Sequence, residues 1–287
     1  MASGRTARAR GFTLVELAVV LTIVVLLLSS LMYTLSAQTE QRNLDETRRR
    51  LEQARELALS FAIVNGRLPC PARSVNTTTP VTVAGDEVRN AASQCSGDSG
   101  AGAVEDYYGG SNAGVTLGLL PARTIGFQQV DPAGFAVDAW GNRIRYAVAK
   151  LKTNCVPPLA PAILLDPHFV SATNLKNNGL ACQPNDLLIC KSGTGITAST
   201  CGVTVPVGAN QLMTASLVVA IVFSTGKNGG TSGGTGTDEI ANLNGDPVFV
   251  FHPPTPSDNA NGEFDDLFTW ITVGELYGKM IAAGVVP

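Results

Sequence analysis

Residues 11–17 read GFTLVEL and open a nearly unbroken apolar run that extends to about Leu35. The run is close to the roughly 20 residues that a helix needs to cross a membrane. Arginines are concentrated just before it, and basic residues hold the start of such a segment in the cytoplasm. The sequence therefore predicts a membrane helix over residues 12–36, with the rest of the chain translocated to the other side.

The apolar run contains one carboxylate, Glu16, and two simpler interpretations of the run compete with a functional one. A secretory signal peptide has a shorter apolar region with a small-residue cleavage site after it, and no A-x-A-like site follows this run. A plain membrane anchor fits the hydropathy, but a carboxylate within a span costs about 2.5–3.5 kcal/mol on insertion scales. Because such a residue usually has a functional partner, Glu16 is the first candidate functional residue.

The residues around Glu16 form a recognisable pattern. Gly11 comes directly before the apolar run, Phe12 begins it, and Glu16 is its fifth residue. This pattern resembles the class III signal of type IV pilins and type II secretion pseudopilins. The resemblance implies that a prepilin peptidase removes residues 1–11 on the cytoplasmic side of the membrane. It also implies that the same enzyme then methylates the new N-terminal residue, Phe12.

The spacing between Phe12 and Glu16 has a physical reason. After cleavage, Phe12 bears a free amine, and Glu16 lies about one helical turn away. The resemblance implies that, in a fibre, the amine of one subunit neutralises Glu16 of a neighbour within a dry helical core. This pairing removes the cost of an isolated buried charge and supplies a register for stacking subunits.

The helix is predicted to continue beyond the apolar run as an amphipathic segment over residues 37–65. Apolar residues recur there at near-helical spacing among abundant charges. Asn65-Gly66 then supplies a stop signal, and Pro69 and Pro71 follow it. A long helix, half in the membrane and half packed on a head domain, is the shape that the resemblance implies.

Residues 66–287 are predicted to form the head of an α+β fold, in which an antiparallel sheet packs on the exposed half of the long helix. Residues 72–135 are polar and Gly-rich, so little regular structure is expected there beyond a short helix around residues 117–120. Later apolar or alternating segments predict strands, and a final segment predicts a closing helix. The predicted strands are residues 142–149, 186–190, 215–224, 248–252 and 267–272, and the predicted helix is residues 274–284.

All six cysteines follow the apolar segment. An even number on one side of a membrane span favours disulfides in an oxidising compartment. Many pairings are possible, and the set with the shortest loops is preferred. Only two histidines and no close CxxC pairs are present, so a structural zinc site is not expected. The preferred pairs are Cys70–Cys95, Cys155–Cys182 and Cys190–Cys201.

Three further segments resemble features of pilin-like proteins. Asp138-Ala139-Trp140-Gly141-Asn142, followed by Tyr146, resembles the D-x-W-G-N…Y entry to the first strand of major pseudopilins. The Gly-rich segment 224–240 resembles the loop that binds calcium in those proteins. Residues 264–270 resemble a recurring ending of pilin-like chains.

The resemblance of the Gly-rich segment implies a Ca²⁺ site. Calcium takes about six to eight oxygen ligands, and glycines in a turn-rich loop leave backbone carbonyls free to point inward. A solvated acidic loop without a metal explains the same residues, and the longer Thr/Gly insertion departs from the loop of the family. The candidate ligands are the carboxylates of Asp238, Glu239, Asp246, Asp265 and Asp266.

Charge and histidine content argue against several classes of function. The chain has 20 basic and 23 acidic residues and a pI near 5.4, so no nucleic-acid partner is expected unless it is a DNA-uptake pilin. His168 and His252 lie in no catalytic motif, and no G-x-S-x-G is present. The sequence GKNGG at residues 226–230 lacks the order of a phosphate-binding loop. The sequence therefore does not predict an enzyme.

The predicted function is that of a structural subunit of a type IV pilus or a type II secretion pseudopilus. The expected partners are the prepilin peptidase, other pilin or pseudopilin subunits, the inner-membrane assembly platform and, before assembly, the membrane. The expected location is the inner membrane with a periplasmic head, and then a periplasmic pseudopilus or a surface pilus. The alternative is a minor or tip pilin whose large head binds a surface, a secreted substrate or DNA.

Overall fold

The computed structural model describes residues 13–74, 83–90, 94–96, 105–112, 115–150, 167–202, 208–230 and 234–286, without the side chains of residues 30–36 and 180. The chain divides into two compact units, with the boundary between Asp45 and Glu46. The first unit contains the N-terminal part of a long helix. The second unit is the head.

One helix, α1 (Leu14–Asn65), covers 52 residues and ends where the sequence predicted. Gly66 follows it with φ of +68°, a left-handed conformation that glycine adopts without steric cost. In the first unit, the apolar side chains from Leu14 to Leu28 are exposed. Within the residues that the structure describes, no helix combines the length and the hydropathy needed to cross a membrane.

In the head, α1 contributes an apolar stripe whose buried residues lie one, three or four positions apart, as a broad face of a helix requires. The stripe is Leu51, Ala54, Ala58, Leu59 and Ala62. Polar contacts extend from the edge of this face to the C-terminal part of the chain. Arg55 donates through Nε to the carbonyl oxygen of Trp270 at 3.0 Å, and through Nη2 to Glu275 at 2.5 Å. The helix therefore lies against the last strand and the last helix of the head.

The remaining elements of the head are short. In chain order they are β1 (Ser111–Asn112), β2 (Val115–Thr116), α2 (Ala122–Ile125), β3 (Arg145–Val148), α3 (Ala172–Asn178), β4 (Leu188–Cys190), β5 (Gln211–Met213), β6 (Val218–Ser224), α4 (Thr237–Ala241), β7 (Val248–Val250), β8 (Leu267–Thr272) and α5 (Val273–Ala282). Single turns of 3₁₀ helix occur at Gly179–Ala181 and Asn228–Gly230.

Among the described residues, two three-stranded sheets form the centre of the head, beside the small β1–β2 pair. In the first sheet, β6 lies between β3 and β8 and pairs antiparallel with both. All the residues of β6 are buried, which explains why its sequence is apolar almost throughout rather than alternating. In the second sheet, β4 lies between β5 and β7. The two sheets meet at Phe223 and Phe249, whose ring centroids are 5.7 Å apart.

The predicted α+β class is confirmed, with one correction to the predicted antiparallel sheet. β4 pairs antiparallel with β5 but parallel with β7, so the second sheet is mixed. A parallel pair needs a crossover connection that is longer than a hairpin. The chain between β4 and β7 contains β5, β6 and α4, and it is long enough to make that crossover.

The five predicted strands correspond to β3, β4, β6, β7 and β8, and the predicted closing helix corresponds to α5. The predicted helix at residues 117–120 is wrong, because Leu119 is extended and bridges both Ala72 and Arg145. A helix begins instead at Ala122, directly after Pro121, where a proline does not interrupt helical hydrogen bonds. The sequence did not predict β1, β2, α3, α4 or β5.

Two disulfides lie among the described residues. They join Cys70 to Cys95 and Cys190 to Cys201, with Cα atoms 5.3 and 5.4 Å apart. These are two of the three preferred pairs. Cys182 is also disulfide-bonded, and Cys155, its preferred partner, lies outside the described residues.

Candidate functional site

The assembly candidate, Glu16, lies in the first turn of α1 and is exposed. Its Oε2 accepts hydrogen bonds from the backbone N–H and from the hydroxyl of Thr13, both at 2.9 Å. In return, the Thr13 hydroxyl oxygen accepts from the backbone N–H of Glu16 at 3.3 Å. This reciprocal pattern is that of a capping box. The processing candidates, Gly11 and Phe12, lie outside the described residues.

The head contains a second candidate site, an acidic cluster formed by Glu239, Asp265 and Asp266. One carboxylate oxygen from each residue lies within 4.8 Å of the others. Glu239 belongs to α4, whereas the two aspartates directly precede β8. The fold therefore brings together three of the five carboxylates that the sequence proposed as calcium ligands.

The other two candidate ligands, Asp238 and Asp246, lie outside this cluster and bind different parts of the head. Asp238 accepts from the backbone N–H of Gly193 at 2.5 Å and pairs with His252 Nε2 at 3.0 Å. It therefore attaches the loop closed by the Cys190–Cys201 disulfide to α4. Asp246 accepts from the backbone N–H of Val248 at 2.9 Å and supports the turn before β7.

Glu239 is fully buried and holds the acidic cluster together. Its Oε2 accepts from the backbone N–H groups of Thr235 and Gly236 at 2.9 and 3.1 Å. Its Oε1 accepts from the backbone N–H of Asp265 at 2.9 Å. The side-chain amide of Asn228 donates to both oxygens at 3.0 Å. Glu239 is thus a structural anchor whose oxygens already have several donors.

Three oxygen atoms near Glu239 have no hydrogen-bond donor within the part of the chain that the structure describes. Asp265 Oδ1, Asp266 Oδ1 and Asn228 Oδ1 are buried and have no hydrogen-bond partner among the described residues. A buried acceptor left unpaired costs about 1–3 kcal/mol, and more when it is charged. These oxygens fit a hard cation such as Ca²⁺, which binds carboxylate and amide oxygens. Asn228 was not among the predicted ligands, because the only side chains proposed were carboxylates, although the Asn-Gly turn at this position was a usable signal.

The carboxyl groups of the cluster are held in an unusual electrostatic environment. Burial raises the pKa of Asp265 to about 7, and the nearby charges of Glu239 and Glu263 act in the same direction. Burial likewise raises the pKa of Asp266 well above its ordinary value. A bound cation would remove this penalty, because it favours the ionised form of each carboxyl.

The D-x-W-G-N motif forms hydrogen bonds with the first residues of the Gly-rich loop. Asp138 Oδ1 accepts from the backbone N–H groups of Trp140 and Asn142 at 2.9 and 2.8 Å, which closes the turn. Asp138 Oδ2 accepts from the hydroxyl of Ser224, the last residue of β6, at 2.5 Å. The Asn142 side chain donates to the carbonyl oxygen of Gly226 at 2.6 Å. The motif therefore positions the start of the loop that leads to the acidic cluster.

Replacing Gly226 with alanine is expected to destabilise the head more than replacing Gly126. Both glycines are left-handed, with φ of +63° and +78°, so both substitutions carry the same backbone penalty of about 1–2 kcal/mol. A Cβ at position 226 would lie 1.9 Å from Asp265 Oδ1, whereas nothing lies within 4 Å of a Cβ at position 126. We expect a further loss of about 1–3 kcal/mol for Gly226→Ala, measured by denaturant unfolding. Equal losses for the two variants would contradict this close approach.

The N-terminal segment of the chain matches a known sequence motif. Residues 6–32 match the prokaryotic N-terminal methylation motif. No curated protein and no solved structure matches the chain. The matched segment includes Gly11, Phe12 and Glu16, and the long helix followed by β-sheets is consistent with a pilin-like fold. Over residues 6–32, the chain therefore carries the signature of type IV pilins and pseudopilins.

Proposed function

We propose that this chain is a structural subunit of a type IV pilus or a type II secretion pseudopilus. In this proposal it is cut after Gly11, N-methylated at Phe12 and assembled through the apolar part of α1. The observation that carries the proposal is the methylation motif at residues 6–32, which contains Glu16 at its expected position. The motif suggests a membrane-held precursor, a prepilin peptidase that processes it, and other pilins as assembly partners. It indicates a structural role rather than an enzymatic one.

The exposed apolar residues of α1 support assembly through this helix. Leu14 and Leu26 are 85% and 71% exposed. An apolar surface of this extent is favourable only when a membrane or another protein covers it. In the proposal, the membrane covers it before assembly and neighbouring subunits cover it afterwards.

Shearing fibres from cells and analysing the released protein by mass spectrometry tests the proposal directly. We expect a peptide that begins at methylated Phe12, because cleavage after Gly11 precedes assembly. A protein that keeps residues 1–11 and stays in the membrane fraction would overturn the proposal. The presence or absence of a retraction ATPase gene beside the secretin and assembly ATPase genes would separate a retractile pilus from a secretion pseudopilus.

We further propose that the acidic cluster binds Ca²⁺. Asp265, Asp266 and Asn228 would supply the oxygens that have no donor among the described residues, and Glu239 would hold the surrounding backbone in place. A bound calcium ion would neutralise the carboxylates and connect the segment after β6 to the segment before β8. The solvated acidic loop, which the sequence allowed, is less favourable because Glu239 and Asp266 are 0% and 1% exposed.

A second candidate function is that of a minor subunit with a binding head. A cavity of about 310 Å³ favours it, and this volume is near the lower limit for small-ligand sites. Aromatic and proline residues line the cavity together with two charged residues of α1. They include Phe251, Pro253, Phe268, Arg48 and Glu52. The abundance of this chain relative to the main subunit in sheared fibres distinguishes a minor subunit from a bulk one.

A further inference from the structure

Residues of the D-x-W-G-N motif and of β6 fix both backbone groups of Gly226. Its carbonyl oxygen accepts from Asn142 Nδ2 at 2.6 Å, and its N–H donates to the hydroxyl oxygen of Ser224 at 3.1 Å. The Ser224 hydroxyl donates in turn to Asp138 Oδ2 at 2.5 Å. A Cβ on Gly226 would lie 1.9 Å from Asp265 Oδ1. The backbone that this motif holds therefore passes directly beside one of the proposed calcium ligands.

The two residues after Gly226 hold the other carboxylate oxygen of Asp265. The backbone N–H groups of Lys227 and Asn228 donate to Asp265 Oδ2 at 3.0 and 3.2 Å. Asn228 also carries Oδ1, another of the proposed ligand oxygens. A carboxylate that is fixed through one oxygen presents the other oxygen in a defined direction. The segment 226–228 therefore sets the positions of two proposed ligand oxygens, Asp265 Oδ1 and Asn228 Oδ1.

The side-chain amide of Asn142 contacts both ends of the segment 226–230. Besides its hydrogen bond to the first residue, it lies against the last two. A Cβ at Gly229 would lie 3.2 Å from Asn142 Nδ2, and a Cβ at Gly230 would lie 3.6 Å from its Oδ1. The backbone of Asn142 is itself fixed, because its N–H donates to Asp138 Oδ1 at 2.8 Å and its carbonyl oxygen accepts from the Asp138 N–H at 2.9 Å. Asn142 therefore supports the segment from a turn that is already closed by hydrogen bonds.

We propose that Asn142 is a positioning residue of the calcium site, and that its amide raises the affinity of the site without touching the ion. The amide holds the segment 226–230 so that Asp265 Oδ1 and Asn228 Oδ1 are kept near Glu239 before the ion arrives. Ligands that are oriented in advance bind more tightly, because less ordering is needed on binding. Replacing a residue that orients metal ligands typically weakens metal binding by about 10–100-fold. This inference rests on the proposed calcium site.

Calorimetric titration of the full-length chain with Ca²⁺ tests the proposal, together with denaturant unfolding in EGTA. Asn142→Leu removes the amide but keeps a branched side chain, whereas Asn142→Ala adds no atom that could clash. We expect both variants to bind calcium at least about tenfold more weakly than the wild type. Both should remain folded in EGTA, with the unfolding constant raised by about tenfold for the loss of one hydrogen bond.

Asn174→Leu and Asn174→Ala are the matched controls. The Asn174 side chain is buried and, like that of Asn142, donates to a backbone carbonyl oxygen, that of Pro167, at 3.1 Å. Asn174 belongs to α3, whereas the acidic cluster is formed by α4 and the segment before β8. The controls should lose stability in EGTA to a similar extent but bind calcium like the wild type. A merely structural role of Asn142 would lower stability in the same way without changing the calcium affinity of the folded chain.

Unchanged calcium affinity in the Asn142 variants overturns the positioning role and leaves the proposed calcium site intact. Equal weakening by the Asn174 variants also overturns it, since the effect would then be one of stability alone. If neither Asn142 variant folds in EGTA, Asn142 serves the head as a whole rather than the site, and the proposal is again overturned. A wild-type chain that binds no calcium overturns the calcium site and this inference together, whereas the mass-spectrometric test of fibre assembly is independent of both.

Discussion

Replacing Glu16 with glutamine is expected to leave the subunit processed but to keep it out of fibres. The substitution is nearly isosteric, so the side chain can still accept the hydrogen bonds of Thr13 that are present in the single subunit. It removes the charge that would neutralise the Phe12 amine of a neighbour. Removing one partner of a buried ion pair costs about 3–5 kcal/mol, so at least a tenfold loss of subunit from sheared fibres is expected.

Mass spectrometry of membrane and sheared fractions measures this loss and its cause together. The membrane fraction of Glu16→Gln should contain the mature peptide that begins at Phe12, which shows that processing is intact. Thr22→Val is the matched control, because it changes a polar group of the apolar run whose hydroxyl donates to its own helix, at the Val19 carbonyl oxygen. Glu16→Gln in fibres at the wild-type level would show that assembly does not use this charge pair.

The long helix and its processing signal could be predicted from the sequence because their signals are local. A run of apolar residues, one acid within it, and an Asn-Gly stop define α1 without reference to the rest of the chain. The strand β6 was also predicted, because all of its residues are buried and its sequence is therefore apolar almost throughout. Even the end of α1 at Asn65 follows from one left-handed glycine.

The acidic cluster could be predicted only in part, because its geometry depends on an element that the sequence did not reveal. Asp238 and Glu239 were treated as neighbours in a loop, but they lie on α4, where adjacent side chains point about 100° apart. Glu239 therefore faces Asp265 and Asp266, whereas Asp238 faces the disulfide loop. A five-residue helix after a glycine-rich stretch has too little periodicity for pattern analysis to detect.

The position of Arg145 in the fold was hidden for a different reason. Within β3 it reads as an exposed residue of an alternating strand, next to the buried Tyr146. Only the register of β3 on β6, and of β6 on β8, places it on the same face of the sheet as Phe223 and Phe268. The register between strands that are far apart in the sequence cannot be predicted from any single local segment.

Calcium is expected to raise the melting temperature of the full-length chain relative to the same chain in EGTA. At a calcium concentration about 100 times the dissociation constant, binding stabilises the folded state by about 2.7 kcal/mol. For a domain of this size, that corresponds to roughly 5–10 °C. Asp266→Asn should remove most of the difference, whereas Asp258→Asn, at an exposed position of the loop before β8, should retain it. Equal melting temperatures of the wild-type chain in calcium and in EGTA would contradict the proposed calcium site.

The increase in melting temperature that calcium causes should itself become larger as pH rises. This pH dependence distinguishes binding at the acidic cluster from a general effect of salt. Burial raises the pKa of Asp265 from 3.8 to about 7 in the folded state. In EGTA, the folded chain thus keeps a proton that the unfolded chain releases, so the stability from this group falls as pH rises from 3.8 to about 7. Bound calcium keeps the carboxylate ionised in the folded state and abolishes that fall.

The difference in melting temperature between calcium and EGTA should therefore widen as pH rises across this window. Because the pKa of Asp266 is also raised, the window should extend to higher pH. A difference that stays constant or narrows as pH rises would show that the calcium effect arises elsewhere.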